Sequence, residues 1–599
     1  MKDNYKIKNL LKAVIVITIA SAFMMPGSAT FFNVEKEYLE KNMASSGMPG
    51  IIYVDDDNTD GPWDGSIDYP YQFIQDGIDN ALNGNRVYVF NGTYYENIVI
   101  FISIFLEGED KDSTIINGEG QGTVVKITTD LVTLTGFTIK NSGSSPNNAG
   151  ISVNSEWNLI KVNNFVDNNY GTRLVKSNNT ILYNNFMNNN QHAYDECSNT
   201  WNDSSPGGGN FWDGHIGEDD NEDGIIDAPY DITGHSNKDW RPLLHIYGSV
   251  INLDTQDVFL TIKSAINDYG TYDGHTIYVK NDVYYEHLVI DKTINLIGEN
   301  KEKTIIDARG FGNVVKIYYD QVAFSGFTVQ HSGSELHNAG MVVDSDENNI
   351  TENILEYNYH GIILCSSDDN VILGNIIQNN DWNGIYIKHY CNRNTILENT
   401  IENNNYAGIA ITGSSQNEAY HNNFIGNRHN AYDDSNNIWD DGYPSGGNYW
   451  DDYAGKDCDG DGIGDKPYII PDGINKDRYP LMEPYISTDT IPPYVEIISP
   501  QNGLYIMNLR LLHRIIRQRT IIFGRITIEV EASDYQSGIE GVAFYLDNNH
   551  NPEETDYIEP YSWTWTRKSF LKHWHVVRAV AIDRAGNYNS DAILVRKYF

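Results

Sequence analysis

Two stretches hold the residues best suited to chemistry. DCDGDGIGDKPY (457–468) and DDNEDGIIDAPY (219–230) set oxygen-bearing side chains at alternate positions around a glycine. Hard divalent cations need that arrangement. A twelve-residue calcium loop draws ligands from positions 1, 3, 5, 7 (a backbone carbonyl), 9 and 12, with Gly at 6. The later stretch offers Asp457, Asp459, Asp461, Ile463 and Asp465, with Gly462 at position 6; the earlier offers Asp219, Asn221, Asp223, Ile225 and Asp227, with Gly224. Position 12, normally a bidentate Glu, is Tyr468 or Tyr230, and Pro467 and Pro229 forbid a helix there. A helix–loop–helix is therefore excluded, while calcium remains the expected cofactor. Asp477 and Asp239 follow at matching distances and are candidates for the missing carboxylate.

Catalysis asks for more than carboxylates on a turn. The best candidates are Asp368 and Asp369 in CSSDDN, with His360 shortly before them. Sugar hydrolysis uses a pair of carboxylates, and proton transfer needs a base of tuned pKa. In a chain this rich in Asp and Asn, a structural turn is the simpler reading, and no catalytic residue is assigned. Tyr357, Tyr359, Trp382, Tyr386, Tyr390, Tyr406 and Tyr420 could stack on sugar rings or pack coil on coil. Cys197, Cys365, Cys391 and Cys458 show no paired spacing, so neither a disulfide framework nor a zinc site follows from them.

The elements that must position these residues are repetitive. VYVFNGTYYENIVIFISIFLEGED (87–110) matches IYVKNDVYYEHLVIDKTINLIGEN (277–300) at an offset of 190 residues. The two acidic stretches, like GGNFWD (208–213) and GGNYWD (446–451), stand 238 apart, so the second copy has gained 48 residues. A finer repeat explains the gain. Gly340, Gly361, Gly384 and Gly408 each precede an apolar triplet, and Asn353, Asn375, Asn399 and Asn422 keep nearly the same step. β-branched triplets with Gly and Asn at fixed corners imply a parallel β-helix, in which no coil can bury its apolar face alone. The extra residues amount to about two more coils. YQFIQDGIDNAL (71–82) and FLTIKSAINDYG (259–270) have apolar residues at helical spacing, for example Phe73, Ile74, Ile78 and Leu82. They are expected to cover the open first coils, whose edges would otherwise stay unpaired.

The fold class expected is all-β: two tandem right-handed parallel β-helices, each with an N-terminal capping helix, then an immunoglobulin-like β-sandwich. The predicted units are a signal peptide (1–30), a first β-helix with its calcium loop (50–248), a longer second one (249–486), and a linker with the sandwich (487–599). The sandwich rests on the alternating strands RITIEVEA, GVAFYLD, YSWTWT and HVVRAVAID. LRLLHRIIRQR (509–519), the one basic segment, reads as a long loop inside it. Lys2, Lys6, Lys8 and Lys12 precede the apolar run Ala13–Met25, and small residues follow, as in an export signal. That run is too short to span a bilayer, and no other stretch could. A net charge of −41 argues against nucleic acid and anionic membranes as partners and suits an extracellular or surface protein, expected to be monomeric, that meets divalent cations.

YVDDDN (53–58), NGTYYENIVI (91–100), NNFMNNN (184–190) and GGNYWDDYAGKDCDGDGIGDKPY (446–468) together resemble the secreted right-handed β-helix proteins of archaea. That group includes NosD-like periplasmic proteins and carbohydrate-binding or sugar-hydrolysing β-helices, and DRAGN (583–587) resembles a turn of their immunoglobulin-like modules. The NosD likeness implies a role in supplying copper or assembling a copper enzyme. Copper sites want clustered Cys, Met or His. The nine Met and sixteen His are scattered, and His360, His389 and His421 take different places relative to the corner Gly. The leading reading is a secreted or surface protein without catalysis, stabilised by calcium: a structural, adhesive or carbohydrate-binding module, whose candidate partner is a polysaccharide or other glycan. The alternative is a polysaccharide lyase, hydrolase or epimerase acting on the second β-helix. A periplasmic copper-site accessory protein comes third.

Overall fold

The computed structural model describes residues 50–59, 61–204, 207–485, 492–500, 503–506, 509–513, 520–534, 539–547, 552–556, 560–566, 574–583 and 587–598. The expected signal peptide and the middle of DRAGN lie outside the described residues. Within 50–485 the chain winds into two parallel β-solenoids, as the repeats imply. Two compact units part from one another within residues 251–265.

The first solenoid has three six-stranded sheets, and the pairs between its successive coils are parallel. In the second, one sheet runs by parallel pairing from Thr276–Val279 through Asn295–Gly298 to Glu418–Tyr420, beside sheets of eight and seven strands. Like side chains stack at one register. Ile277, Leu296, Phe324, Ile350, Ile372 and Ile396 follow one another through successive coils, all fully buried. This column is the continuous core that no single coil could make.

Asn supplies the corners. Asn353 donates Nδ2–H to Asn375 Oδ1, Asn375 to Asn399, Asn399 to Asn422 and Asn422 to Asn448, at 2.9 to 3.1 Å. Each amide both accepts and donates, so a buried polar column is satisfied throughout. Gly361 and Gly384 lie where successive coils approach closely. A Cβ on either would meet the next coil's glycine carbonyl at 2.5 or 2.7 Å.

Glu96 fixes the first cap. Its two carboxylate oxygens accept from the backbone N–H groups of Ile74 and Gln75 at 2.7 and 3.0 Å, satisfying orphan donors at the start of helix α1 (Ile74–Asp79). α1 is shorter than the apolar spacing suggests: Ile74 and Ile78 are buried, but Phe73 and Leu82 are exposed. Helix α2 (Ile262–Asn267) is equally short and buries Ile262, Ala265 and Ile266.

The C-terminal part is a β-sandwich of a three-stranded and a seven-stranded sheet around Ile528, Phe544, Trp563, Trp565 and Val577. The four sequence-predicted strands all form. Part of the expected loop does not stay a loop: Leu509–His513 is a strand paired antiparallel with Gly503–Ile506, and residues 514–519 lie outside the described set.

Candidate functional site

Each acidic loop sits where its solenoid ends, and the chain around it builds that end. Phe211–Trp212 pairs in parallel with the last full coil at Asn185–Phe186, and Tyr449–Trp450 pairs with Asn423–Phe424. The acidic loop follows, and its twelfth residue returns over the core. Tyr230 stacks on Trp212 at 4.1 Å, and Trp212 stacks on Phe186 at 4.4 Å. Tyr468, Trp450 and Phe424 repeat this at 4.2 and 4.3 Å. Position 12 thus carries a Tyr because it supplies the last ring of an aromatic column, not a ligand.

Inside the loop, the first aspartate organises the turn. Asp457 accepts from Gly460 N at 2.6 Å and from Gly462 N at 2.9 Å. Asp219 accepts from Asp223 N at 3.1 Å and Gly224 N at 2.9 Å. Asp461 accepts from Ile463 N, as Asp223 does from Ile225 N. Gly462 O and Gly464 N–H bond to Met482 N and Pro480 O on the neighbouring segment. The N–H and C=O of Ile463, lying between them, must face the other way, into the loop. Leu244 N and Pro242 O impose the same alternation on Ile225. The Ile side chains are buried, which leaves their carbonyls as the groups available at position 7.

Oxygens of Asp457, Asp459 and Asp461 lie within 4.8 Å of one another. The negative charge of Asp461 pushes Asp459 above the usual carboxylate range, while the backbone N–H of Gly462 holds Asp457 below it. In the first loop, burial pushes Asp219 up. The position-9 aspartates fold back on the loop's second residue: Asp465 accepts from Cys458 N at 3.0 Å, and Asp227 from Asp220 N at 3.1 Å. The second loop therefore has four carboxylates and the first three, with Asn221 in place of Asp459.

Asp239 and Asp477 do a different job from the one their spacing suggests. Each lies directly across an antiparallel pair from the loop's last residue, Tyr230 or Tyr468. Each carboxylate, however, is buried and consumed by donors of the core's end. Asp477 accepts from Asn448 N at 2.7 Å, Trp450 Nε1 at 2.8 Å and Tyr479 N at 2.9 Å. Asp239 accepts from Asn210 N at 2.7 Å, Trp212 Nε1 at 2.9 Å and Arg241 N at 3.0 Å. They occupy the place where the next coil's Asn would stand and terminate the amide column with an acceptor. Burial pushes Asp239 up to about 6 and Asp477 up to about 7, against the pull of those hydrogen bonds. Asp195 and Asp433 were missed by sequence reasoning. They end a second amide column in each copy and hold the indoles of Trp201 and Trp439 at 2.9 and 2.8 Å. The shared spacing of Asp, Asn and Trp in DECSNTW and DDSNNIW was the available signal.

The other candidates are engaged by neighbouring side chains or buried. Arg393 clasps Asp369 with Nε and Nη2 at 2.8 and 2.7 Å and reaches Asp368 at 3.1 Å. That bond holds the Asp369 carboxyl below its usual range, the opposite of what a general acid needs. His360 is buried and pushed down to about 4 by burial. Tyr359, Trp382 and Tyr406 form a ladder of stacked rings, Trp382 lying 6.1 Å from Tyr359 and 4.4 Å from Tyr406 at nearly parallel planes. Their faces are turned to each other, so the ladder packs coil on coil.

Parallel coils with Asn columns and capped ends define a β-solenoid protein. The family described as periplasmic copper-binding protein (NosD) matches residues 16–217 and 252–455, one stretch for each solenoid, and the chain belongs to this family. A bacterial Ig domain matches 516–579. No curated relative matches in sequence. Among solved structures, the A-module of mannuronan C-5 epimerase AlgE4 from Azotobacter vinelandii is 12% identical, over 64% of this chain and 99% of that one, at a TM-score of 0.20. Pectin methylesterase from carrot is 10% identical over 64% and 84%, at 0.17. The fibronectin(III)-like modules of Clostridium thermocellum CbhA are 15% identical over 23% of this chain, which spans 59% of their length, at 0.15. Such scores carry nothing about substrate or reaction. Among the described residues, no group of three or more that includes His or Cys is placed to hold the family's copper. Among the described residues, the groups of three or more His, Cys, Asp or Glu placed to share an ion are Asp55–Asp57 and Asp457, Asp459 and Asp461, hard carboxylates rather than the soft set copper selects. No described helix is long and apolar enough to cross a membrane.

Proposed function

We propose that the chain is an exported, non-catalytic repeat protein of the cell surface or surroundings. In this reading calcium staples the end of each solenoid, and the second solenoid contacts glycan. The observation that carries it is the duplicated loop: in both copies the first aspartate binds the glycine N–H at position 6, and the position-7 carbonyl is turned inward by its neighbours. A turn with several carboxylates at ligand distance repels itself, and a divalent cation relieves that repulsion. The clasp of Arg393 on Asp368 and Asp369, with the burial of His360, supports the absence of catalysis.

Elemental analysis of the purified protein, with thermal unfolding in calcium and in EGTA, tests the reading. Bound calcium and a lower Tm in EGTA are expected, and Asp457→Ala with Asp461→Ala should reproduce the loss. A protein free of calcium, with a Tm indifferent to EGTA, would leave the loops as ordinary acidic turns.

A further inference from the structure

The two acidic loops share a ligand pattern at an offset of 238 residues, yet what touches their aspartates differs. Where the first copy has Asn221, Glu222 and Arg241, the second has Asp459, Gly460 and Tyr479. Arg241 and Tyr479 start from equivalent backbone positions: the N–H of each is bound by its copy's buried aspartate, Asp239 or Asp477, at 3.0 and 2.9 Å.

From that position the arginine reaches a ligand. Arg241 Nη2 lies 3.6 Å from Asp223 Oδ2. Asn221 Nδ2 donates to the same oxygen at 3.2 Å, and Asp223 Oδ1 accepts from Ile225 N at 3.1 Å. Both oxygens of the position-5 carboxylate are thus engaged within the protein. The Arg241 Nε–H donates to the Gly207 carbonyl, which fixes the guanidinium beside the loop. At position 4, Lys263 Nζ lies 3.2 Å from Glu222 Oε2. In the second loop Asp459 replaces the donating amide, and Tyr479 replaces the guanidinium. Oxygens of Asp457, Asp459 and Asp461 crowd within 4.8 Å of one another. Lys456 and Lys466 flank this loop, yet among the described residues neither pairs with its aspartates. Water screens charges that are not in contact, so the contacting pair decides.

We propose that Arg241 is a built-in counter-ion that competes with calcium for the first loop. Calcium takes the position-5 carboxylate as a ligand, and to reach Asp223 it must displace the guanidinium and the Asn221 amide. The second loop has no such competitor. Calcium therefore loads the protein in two steps, the second solenoid's loop first and the first solenoid's loop only at higher concentration. This inference rests on the calcium reading above and sets the order in which its two sites fill.

Calorimetric titration of calcium chloride into the full-length, chelator-stripped protein tests it. Two steps are expected, one at least about tenfold weaker than the other. Asp457→Ala should remove the tight step and Asp219→Ala the weak one. Arg241→Gln takes a positive charge from beside the incoming ion, so it should tighten the weak step about five- to tenfold and leave the tight step unchanged. Arg241→Lys, which keeps the charge, should tighten it far less. Tyr479→Arg, the converse exchange, should weaken the tight step several-fold, and circular dichroism checks that each variant folds. Equal affinities at the two loops, or a weak step that Arg241→Gln leaves unmoved, overturn the assignment while calcium binding stands. So does a single step of one ion per chain that Arg241→Gln does not turn into two. If Arg241→Gln does not fold, Tyr479→Arg decides by itself, and an unweakened tight step overturns the assignment. Binding of calcium at neither loop overturns both inferences.

Discussion

The two solenoids differ least where they are held together and most where nothing structural requires a particular residue. Both end the same way: a buried aspartate accepts an indole N–H and closes an Asn column, and a Phe–Trp–Tyr stack covers the last coil. Against that constancy, the second copy has more coils, a fourth carboxylate in its loop, and Tyr479 where the first copy sets Arg241 beside its loop. A coil can be inserted without cost to its neighbours because each contacts only the coil above and below. The ends cannot vary so freely, since a buried donor left unpaired is penalised wherever it occurs. Retention therefore marks the buried ends as structural, and divergence marks the acidic loops.

The comparison can be broken most forcefully at the ends. Asp477→Ala strands the N–H groups of Asn448, Trp450 and Tyr479, and should destabilise the second solenoid by about 3 kcal/mol or more. Asp239→Ala should do the same to the first. Denaturant unfolding with hydrogen exchange gives size and location, and a variant that kept wild-type protection in the last coils would refute the role of these aspartates. Calcium removal comes next. A ligand a hundredfold above its Kd stabilises the native state by about 2.7 kcal/mol. The four-carboxylate loop should lose more in EGTA than the loop in which Asn221 replaces an acid, and a Cys458 probe reports on it directly.

A smaller effect follows from pH. The folded protein binds a proton at Asp477 and Asp239 more tightly than the unfolded chain does, because burial raises both. Stability from that source is complete below the ordinary carboxylate pKa of 3.8 and is lost as pH rises, through about 6 for Asp239 and about 7 for Asp477. Without calcium, the Tm should therefore fall by a few degrees between pH 5 and 7.5, and the second solenoid should go on losing stability to the higher pH. Asp477→Asn, which cannot titrate, should flatten the upper part of that slope.

Much of this fold was legible in the sequence, because a solenoid writes its period directly. Gly361, Gly384 and Gly408 stand where coil meets coil, and the Asn step is the hydrogen-bonded column itself. What did not transfer was direction. Spacing set Asp477 beside the loop, but only the fold shows its oxygens turned inward to Trp450. Sequence likewise left the Tyr359–Trp382–Tyr406 ladder open between sugar contact and packing, since the type of a ring does not reveal which way its face points. Arg241 lies outside the first loop in sequence and meets Asp223 only when the chain folds back.

The smallest predicted effect is the one that separates a binding protein from an enzyme. Arg393, Asp368 and Asp369 form an exposed cluster, and exposed ion pairs typically contribute about 0–1 kcal/mol. Asp368→Asn with Asp369→Asn should therefore leave the Tm nearly unchanged. If these were a catalytic acid and base, the same substitution would abolish the release of reducing ends, or of unsaturated ends, from a polysaccharide, at full stability. The clasp argues otherwise: a carboxyl held below its usual range by a bidentate arginine stays ionised at neutral pH and has no proton to give, and its lone pairs already face Nε and Nη2. The expected outcome is that wild type and double variant give the same background with oligogalacturonate, sulfated galactan and neutral galactan alike. Turnover by the wild type that vanished in the double variant would move the protein into the enzyme class and make the second solenoid its active half.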